Sequence, residues 1–175
     1  GYMLHEPATH QEKHNAANGE NNQDGANDNE SWNCGAEGPT PNHKINALRE
    51  QQMRNFLVAL MLSKGTPMVL MGDEYAHTCY GNNNPYCQDN ELSWFNWEFT
   101  SEQSALLAFV QRVIRIRRAH WVFRRKNFFE GKKVPHSKVS AFTWLSPEGN
   151  EMTDEVWNIG YARTLGLILS GDTDE

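Results

Sequence analysis

The sequence predicts an α/β chain: the closing helix and strand of a parallel-sheet domain, running on into a β-type segment. Three observations carry this. Met53, Phe56, Leu57, Leu60 and Met61 recur at helical spacing, and Leu106, Phe109, Val110, Val113 and Ile114 form a second such stripe. Between the stripes lies PMVLM, residues 67–71, an unbroken apolar run that suits a parallel strand covered on both faces. The order helix, buried strand, long polar loop, helix is the tail of a βαβα pattern.

The elements follow in chain order. Residues 15–44 are rich in Asn and Asp, whose side chains bond their own backbone in turns, with Gly and Pro punctuating, so they predict a long loop. Trp32 and Cys34 within it ask for burial. A helix is expected over 45–64, closed by Gly65 as a C-cap, since Pro67 forbids continuation. The strand 67–71 follows, then a loop over 72–100. Thr100-Ser101-Glu102-Gln103 reads as a capping box, in which the Thr100 oxygen accepts from the Gln103 backbone. The helix after it runs to about Ala119, with Arg112, Arg115 and Arg118 on its solvent side. A domain boundary falls near 120–135. Beyond it, Val139–Leu145 and Tyr161–Leu169 read as strands, with a turn at Pro147-Glu148-Gly149-Asn150.

Composition narrows the function classes. No apolar run approaches the ~20 residues of a membrane helix, and the first residues lack a secretory leader's basic start and apolar core. The sequence opens on Gly1 rather than Met, and a lone parallel strand needs neighbours, so the chain reads as a piece of a longer protein. Three cysteines without a CxxC pair predict neither a thiolate zinc site nor a disulfide framework. Net charge is −6, yet Arg112–Lys138 holds ten Lys/Arg against one acid, with aromatics interleaved. That run could track a nucleic acid. Three of its Arg lie on the solvent face of a helix, however, and Trp121, Phe123 and Phe128 suit a domain junction. The overall acidity also opposes phosphate binding, so no nucleic-acid partner is expected.

Chemistry concentrates in the loop after the strand. In parallel α/β architectures ligands gather at the strands' C-terminal ends, where Asp73 and Glu74 stand. Adjacent carboxylates diverge, whereas glycosidase carboxylates face each other across roughly 5–10 Å, so these two read as substrate contacts or as a solvated acid pair. Asn82, Asn83 and Asn84 offer amides that donate and accept together, as vicinal sugar hydroxyls require. Tyr80, Tyr86, Trp94, Phe95 and Trp97 offer flat apolar faces, although alternation over Ser93–Trp97 favours core packing for Trp94, Phe95 and Trp97. Asp73, Asp89 and the Asn carbonyls could also serve a hard cation, but the spacing follows no calcium-loop pattern. His5, His10 and His14 would put only His10 and His14 on one helical face, with no third ligand in view, so no metal is expected. Serine-nucleophile, P-loop and dinucleotide signatures are absent.

With KHNAANGENNQDG (13–25), SWNCGAEGPT (31–40), LREQQMRNFLVALMLSKGTPMVLMGDEYAHT (48–78), GNNNPYCQDNELSWFNWE (81–98) and SPEGNEMTDEVW (146–157) in place, the chain resembles the isoamylase-type glycogen and starch debranching enzymes of the α-amylase superfamily. The resemblance implies the C-terminal part of a (β/α)8 TIM barrel followed by the start of a C-terminal β-sandwich domain. Residues 1–125 would close the barrel, with substrate-side loops at 15–44 and 72–100, and 126–175 would be linker and truncated β domain. It implies 67–71 as the eighth barrel strand, 45–64 as the helix before it and 101–119 as the last barrel helix. It further implies hydrolysis of α-1,6 branch linkages with retention, a branched α-glucan such as glycogen, starch or limit dextrin as partner, and a bacterial cytoplasm or plastid stroma as location. No cofactor is implied. The family's nucleophile and acid/base belong to the fourth and fifth strands. Its third Asp belongs to a His-Asp pair placed just before the Gly matching Gly1. No residue here matches any of them, and EPATH (6–10) departs from the family pattern. The expectation is therefore a chain with no catalytic residue of its own, inactive alone. Asp73, Glu74, Asn82, Asn83, Asn84, Tyr86, Asp89, Asn90 and Glu91 are carried over as substrate contacts. A non-catalytic glucan-binding or scaffold fragment is the alternative.

Overall fold

The computed structural model describes residues 2–125, 140–161 and 163–171. The expected strand start at Val139, the packing of Phe128, Ala162 of the second expected strand and the lysines at 126, 132, 133 and 138 lie outside them. The chain divides into two units, Gly1–Ile116 and Arg117–Glu175.

Helix α1 spans His43–Leu62. Asn42 caps it, its side-chain oxygen accepting from the backbone N–H groups of Lys44 at 3.0 Å and Ile45 at 3.4 Å. Its buried face is Arg49, Met53, Leu57 and Met61, one residue per turn at strict i+4 spacing. Phe56 and Leu60, expected in the same stripe, lie on an exposed flank. The helix ends before Gly65: Ser63 leaves helical geometry while its N–H still reaches Ala59 O at 3.1 Å. Gly65 takes a positive φ of 111° two residues later, turning the chain rather than capping the helix.

Helix α2 spans Ser101–Ala119, and the capping box is present in both directions. Gln103 N donates to Thr100 Oγ1 at 3.2 Å, and Thr100 N to Gln103 Oε1 at 3.0 Å. Leu106, Val110 and Val113 are buried, while Arg112, Arg115 and Arg118 face solvent. The core of the first unit is the meeting of the two helices at Leu57, Leu106 and Val110, with Leu4, Ala76 and Phe109 packed on it. Leu57, Leu106 and Val110 each contribute about 1.5–3 kcal/mol by leaving water.

Residues 67–71 are not a strand here. They form no strand pairing with any described residue, and Met68, Leu70 and Met71 are exposed, Met68 by 85%. The physical reason is that a strand is defined by its neighbours, and no described residue supplies an edge beside this one. Trp32 is likewise exposed rather than buried, while Cys34 is buried as expected. The loop around it is held instead by Arg49, whose guanidinium donates to Gly38 O at 2.8 Å and Asn33 O at 3.1 Å, and also to Ala36 O. One buried cation on α1 thus satisfies carbonyls of a segment with no sheet or helix ladder of its own.

In the second unit, β1 (Phe142–Leu145) pairs antiparallel with β2 (Gly166–Leu169), Phe142 opposite Leu169 and Leu145 opposite Gly166. The turn falls at the expected place: Gly149 N donates to Ser146 O at 2.9 Å, and Leu145 bridges to Glu151. Tyr161 and residues 163–165 do not join β2. A short helix, α3 (Asp154–Trp157), intervenes and sets Trp157 edge-on to Trp144 at 5.9 Å. Trp121 is exposed, with the Arg125 guanidinium 5.5 Å from its ring. No helix among the described residues is long and apolar enough to cross a membrane.

Candidate functional site

The loops at 15–44 and 72–100 are stitched together by amides. Asn15 Nδ2 donates to Asn83 Oδ1 at 2.8 Å, and Asn83 N returns a bond to Asn15 Oδ1 at 3.0 Å. The Asn83 Nδ2 group donates to Ala26 O at 2.9 Å and Asn29 Oδ1 at 2.8 Å. Asn82 Nδ2 donates to Asn18 Oδ1 at 2.9 Å, and Asn84 Nδ2 to Asp24 Oδ2 at 2.9 Å. Asn18, ending a 3-10 turn over Ala16–Asn18, donates to the same Asp24 oxygen at 2.6 Å and to Asn84 O at 3.0 Å. Asn15, Asn82 and Asn83 are all buried. Gly25 is required beside them: a β-carbon there would overlap Asn83 Oδ1 and come within 2.6 Å of Asn15 Nδ2. The paired amides therefore form a brace between the two loops, buried at Asn15, Asn82 and Asn83.

This places each expected contact residue. Both amide hydrogens and the amide oxygen of Asn83 are engaged inside the protein, so it shapes the loop from within. Asn82 does the same, and Asn84 is half-buried at the brace's edge. Asp73 Oδ1 accepts from Leu4 N at 2.8 Å, and its carboxyl is raised above the usual range, chiefly by burial. Glu74 Oε2 accepts from Gly72 N at 2.8 Å, closing its own 3-10 turn over Asp73–Tyr75. Tyr86, Asp89, Asn90 and Glu91 are exposed. Asp89 Oδ1 accepts from Trp94 Nε1 at 2.9 Å, and Asn90 Oδ1 from Leu92 N at 3.0 Å.

Trp94 and Trp97 are 57% and 73% exposed, not core. The reason is local: Ser93 and Trp94 lie in a turn and bend and 95–97 is irregular rather than strand, so side chains do not alternate between faces. Phe95 alone turns in, its ring 4.7 Å from His77 and 6.3 Å from Tyr75. The loop thus presents Tyr80, Tyr86, Trp94 and Trp97 outward, with Asp89 fixing the Trp94 indole.

Beneath this loop lies a feature that spacing did not reveal. His5, Glu6 and His10 each place a ligand-type atom within 4.8 Å of the others, the one such trio among the described residues. Glu6 is fully buried; its Oε1 accepts from Thr78 Oγ1 at 2.5 Å and Cys79 N at 3.0 Å. Burial and then the Glu6 charge push the Cys79 thiol up to about 11. Nearby, Glu37 collects Gln11 N at 2.9 Å, Glu12 N at 3.1 Å, Asn33 Nδ2 at 3.1 Å and His14 Nε2 at 3.0 Å. Burial opposes the ionised form, but these bonds outweigh it and draw the carboxyl from 4.5 to about 2.

No family model matches the chain. It is 49% identical over 173 residues to the Glycogen operon protein GlgX homolog of Mycobacterium bovis, an overlap covering 98% of this chain and 24% of that protein. It is 46% identical over 153 residues to Isoamylase 3, chloroplastic, of Oryza sativa subsp. japonica, covering 82% of this chain and 20% of that one. Against the Glycogen debranching enzyme of Pectobacterium carotovorum it is 39% identical over 171 residues, 98% of this chain and 25% of that protein. The chain spans about a quarter of the length of the curated relatives it matches most fully.

Proposed function

Because the chain belongs to the isoamylase-type glycogen and starch debranching family, we propose that it is the part of a glycosidase that walls the substrate cleft, in a protein hydrolysing α-1,6 branch linkages of glycogen- or starch-type glucans with retention. The observation that carries this is 49% identity across 98% of the chain, with both loop motifs present and joined by the Asn brace. The brace makes the loop rigid, and a rigid loop presents Tyr86, Trp94 and Trp97 at low entropy cost to the apolar faces of glucose rings. Asp73, Glu74, Asn84, Asp89, Asn90 and Glu91 supply the polar rim, while Asn82 and Asn83 set its shape.

Retaining hydrolysis needs two carboxyl groups about 5–5.5 Å apart across the scissile bond. The family's nucleophile, acid/base and third Asp have no counterpart in residues 1–175, so the chain by itself is inactive. On the same reading 67–71 becomes a barrel strand when its neighbours are present, which explains why Met68, Leu70 and Met71 are bare here. Residues 1–125 then close the barrel and 126–175 begin the β domain. The location is a bacterial cytoplasm or a plastid stroma.

The test compares the 175-residue chain with the complete gene product on a branched glucan, reading released reducing ends. Release by the complete protein and none by the chain is the expected pair. Release by the chain overturns the placement of the catalysts, and no release by the complete protein overturns the activity.

A further inference from the structure

We propose that His5, Glu6 and His10 form a binding site for a zinc-type divalent cation, independently of any glucan chemistry. Two imidazoles and one carboxylate are a donor set that favours zinc over calcium or magnesium, which take oxygen ligands. The three groups offer donor atoms within 4.8 Å of one another, His5 Nδ1 standing 3.7 Å from Glu6 Oε1. Tetrahedral bonds of about 2.0–2.1 Å require ligand separations of roughly 3.3 Å, so the trio must tighten modestly. His5 is the arm that can move, its side chain being 26% exposed, while Glu6 and His10 are fixed by burial.

The independent observation is Glu6 Oε2. It is buried and accepts no hydrogen bond, whereas Oε1 has two donors. A carboxylate oxygen left bare in a dry interior is costly, and a cation would satisfy it. Thr9 Oγ1 donates to His5 O at 2.9 Å and lies 2.8 Å from His10 Nδ1, whose N–H it can accept, orienting the His10 ring from behind.

Access comes from a cavity of about 620 Å³ lined by His5, Thr9, His10, His43, Thr78 and Tyr80. Of the three groups, His5 and His10 line this space, and a tetrahedral zinc with three protein ligands keeps a fourth position for water or a small anion. His14 stacks edge-on to His10 at 5.3 Å but is engaged by Glu37, so it stands outside the trio.

The experiment uses the complete, untagged gene product, stripped with chelator and titrated with Zn²⁺ by calorimetry, and with Co²⁺ for its visible d–d bands. Wild type is expected to bind one equivalent more than His5→Gln, or to bind that equivalent at least about 100-fold more tightly. Glu6→Gln keeps an oxygen for Thr78 and Cys79 and so preserves the packing. It is expected to lose the same equivalent and the tetrahedral cobalt spectrum, with its circular dichroism unchanged. No zinc bound by wild type, or stoichiometry and affinity in both variants equal to those of wild type, overturns the site and leaves Glu6 as a buried carboxylate held by Thr78, Cys79 and His5.

Discussion

Replacing Asn83 by Ala isolates the brace. The variant removes three side-chain bonds: the one accepted from Asn15 Nδ2 and those donated to Ala26 O and Asn29 Oδ1. At a net worth of about 1 kcal/mol each in a buried setting, the loop junction loses roughly 3 kcal/mol. Asn15 Nδ2 keeps Asp24 O, at 2.9 Å, which holds the figure from rising further. The loss is local, so the assay is amide hydrogen exchange rather than global melting. The His14 N–H donates across the junction to Gly81 O at 2.8 Å and exchanges only when the loops part. A loss of roughly 3 kcal/mol accelerates that exchange by about 100-fold. Asn15→Ala should do nearly as much, and the double variant should fall short of the sum by about 1–2 kcal/mol, since the two residues share bonds. Unchanged exchange at His14 in Asn83→Ala, or strict additivity with Asn15→Ala, would refute the brace.

Glu37 has a depressed folded pKa, so its contribution is present above its ordinary value of 4.5 and is lost as pH falls toward about 2. Glu37→Gln should flatten the acid limb of stability against pH across that window, read as melting temperature, and carboxyl NMR of wild type should place its midpoint near the lower figure. Asp89→Ala frees the Trp94 indole N–H and should shift Trp emission and weaken maltooligosaccharide binding, seen by fluorescence titration. Thr100→Ala removes one half of the α2 capping box and should cost about 1 kcal/mol, visible as faster exchange confined to the first turn of α2. Leu57→Ala opens the helix–helix core and should lower stability by about 2–5 kcal/mol in denaturant unfolding.

What the sequence made legible was local. The capping box at Thr100 and Gln103, the two helices and the turn at Pro147–Asn150 depend on residues within a few positions of one another. Pro67–Met71 has the composition of a buried strand, but forming one depends on partners that no local pattern encodes and no described residue supplies. Phe56 and Leu60 fit a helical stripe but lie off its buried side, because the stripe's width is set by the helix packed against it. Asn82 and Asn83 show the limit at the site. An amide matches a sugar hydroxyl and another amide equally well, and only the meeting of residues 68 positions apart tells which. Trp94 and Trp97 were assigned to the core on an alternation that a turn does not keep. His5, Glu6 and His10 were missed because helical spacing was the wrong test. Pro7 turns the segment through a 3-10 step, bringing positions five apart together.

Asn18 also sets a limit on the protein's chemical lifetime. It precedes Gly19, the neighbour that least obstructs the ring closure converting Asn to Asp, and the attacking atom in that reaction is the Gly19 nitrogen. In the folded loop that N–H is donated to Ala16 O at 3.2 Å, and the Asn18 amide is held by Asp24 and Asn84. The arrangement keeps both reactants occupied while the loops stay together. Once Asn18 ages to Asp, the donor to Asp24 becomes a second negative charge facing it at hydrogen-bond distance, and the junction is repelled from within. Loop closure thus protects the residue on which closure depends, and each opening puts a covalent and irreversible step within reach.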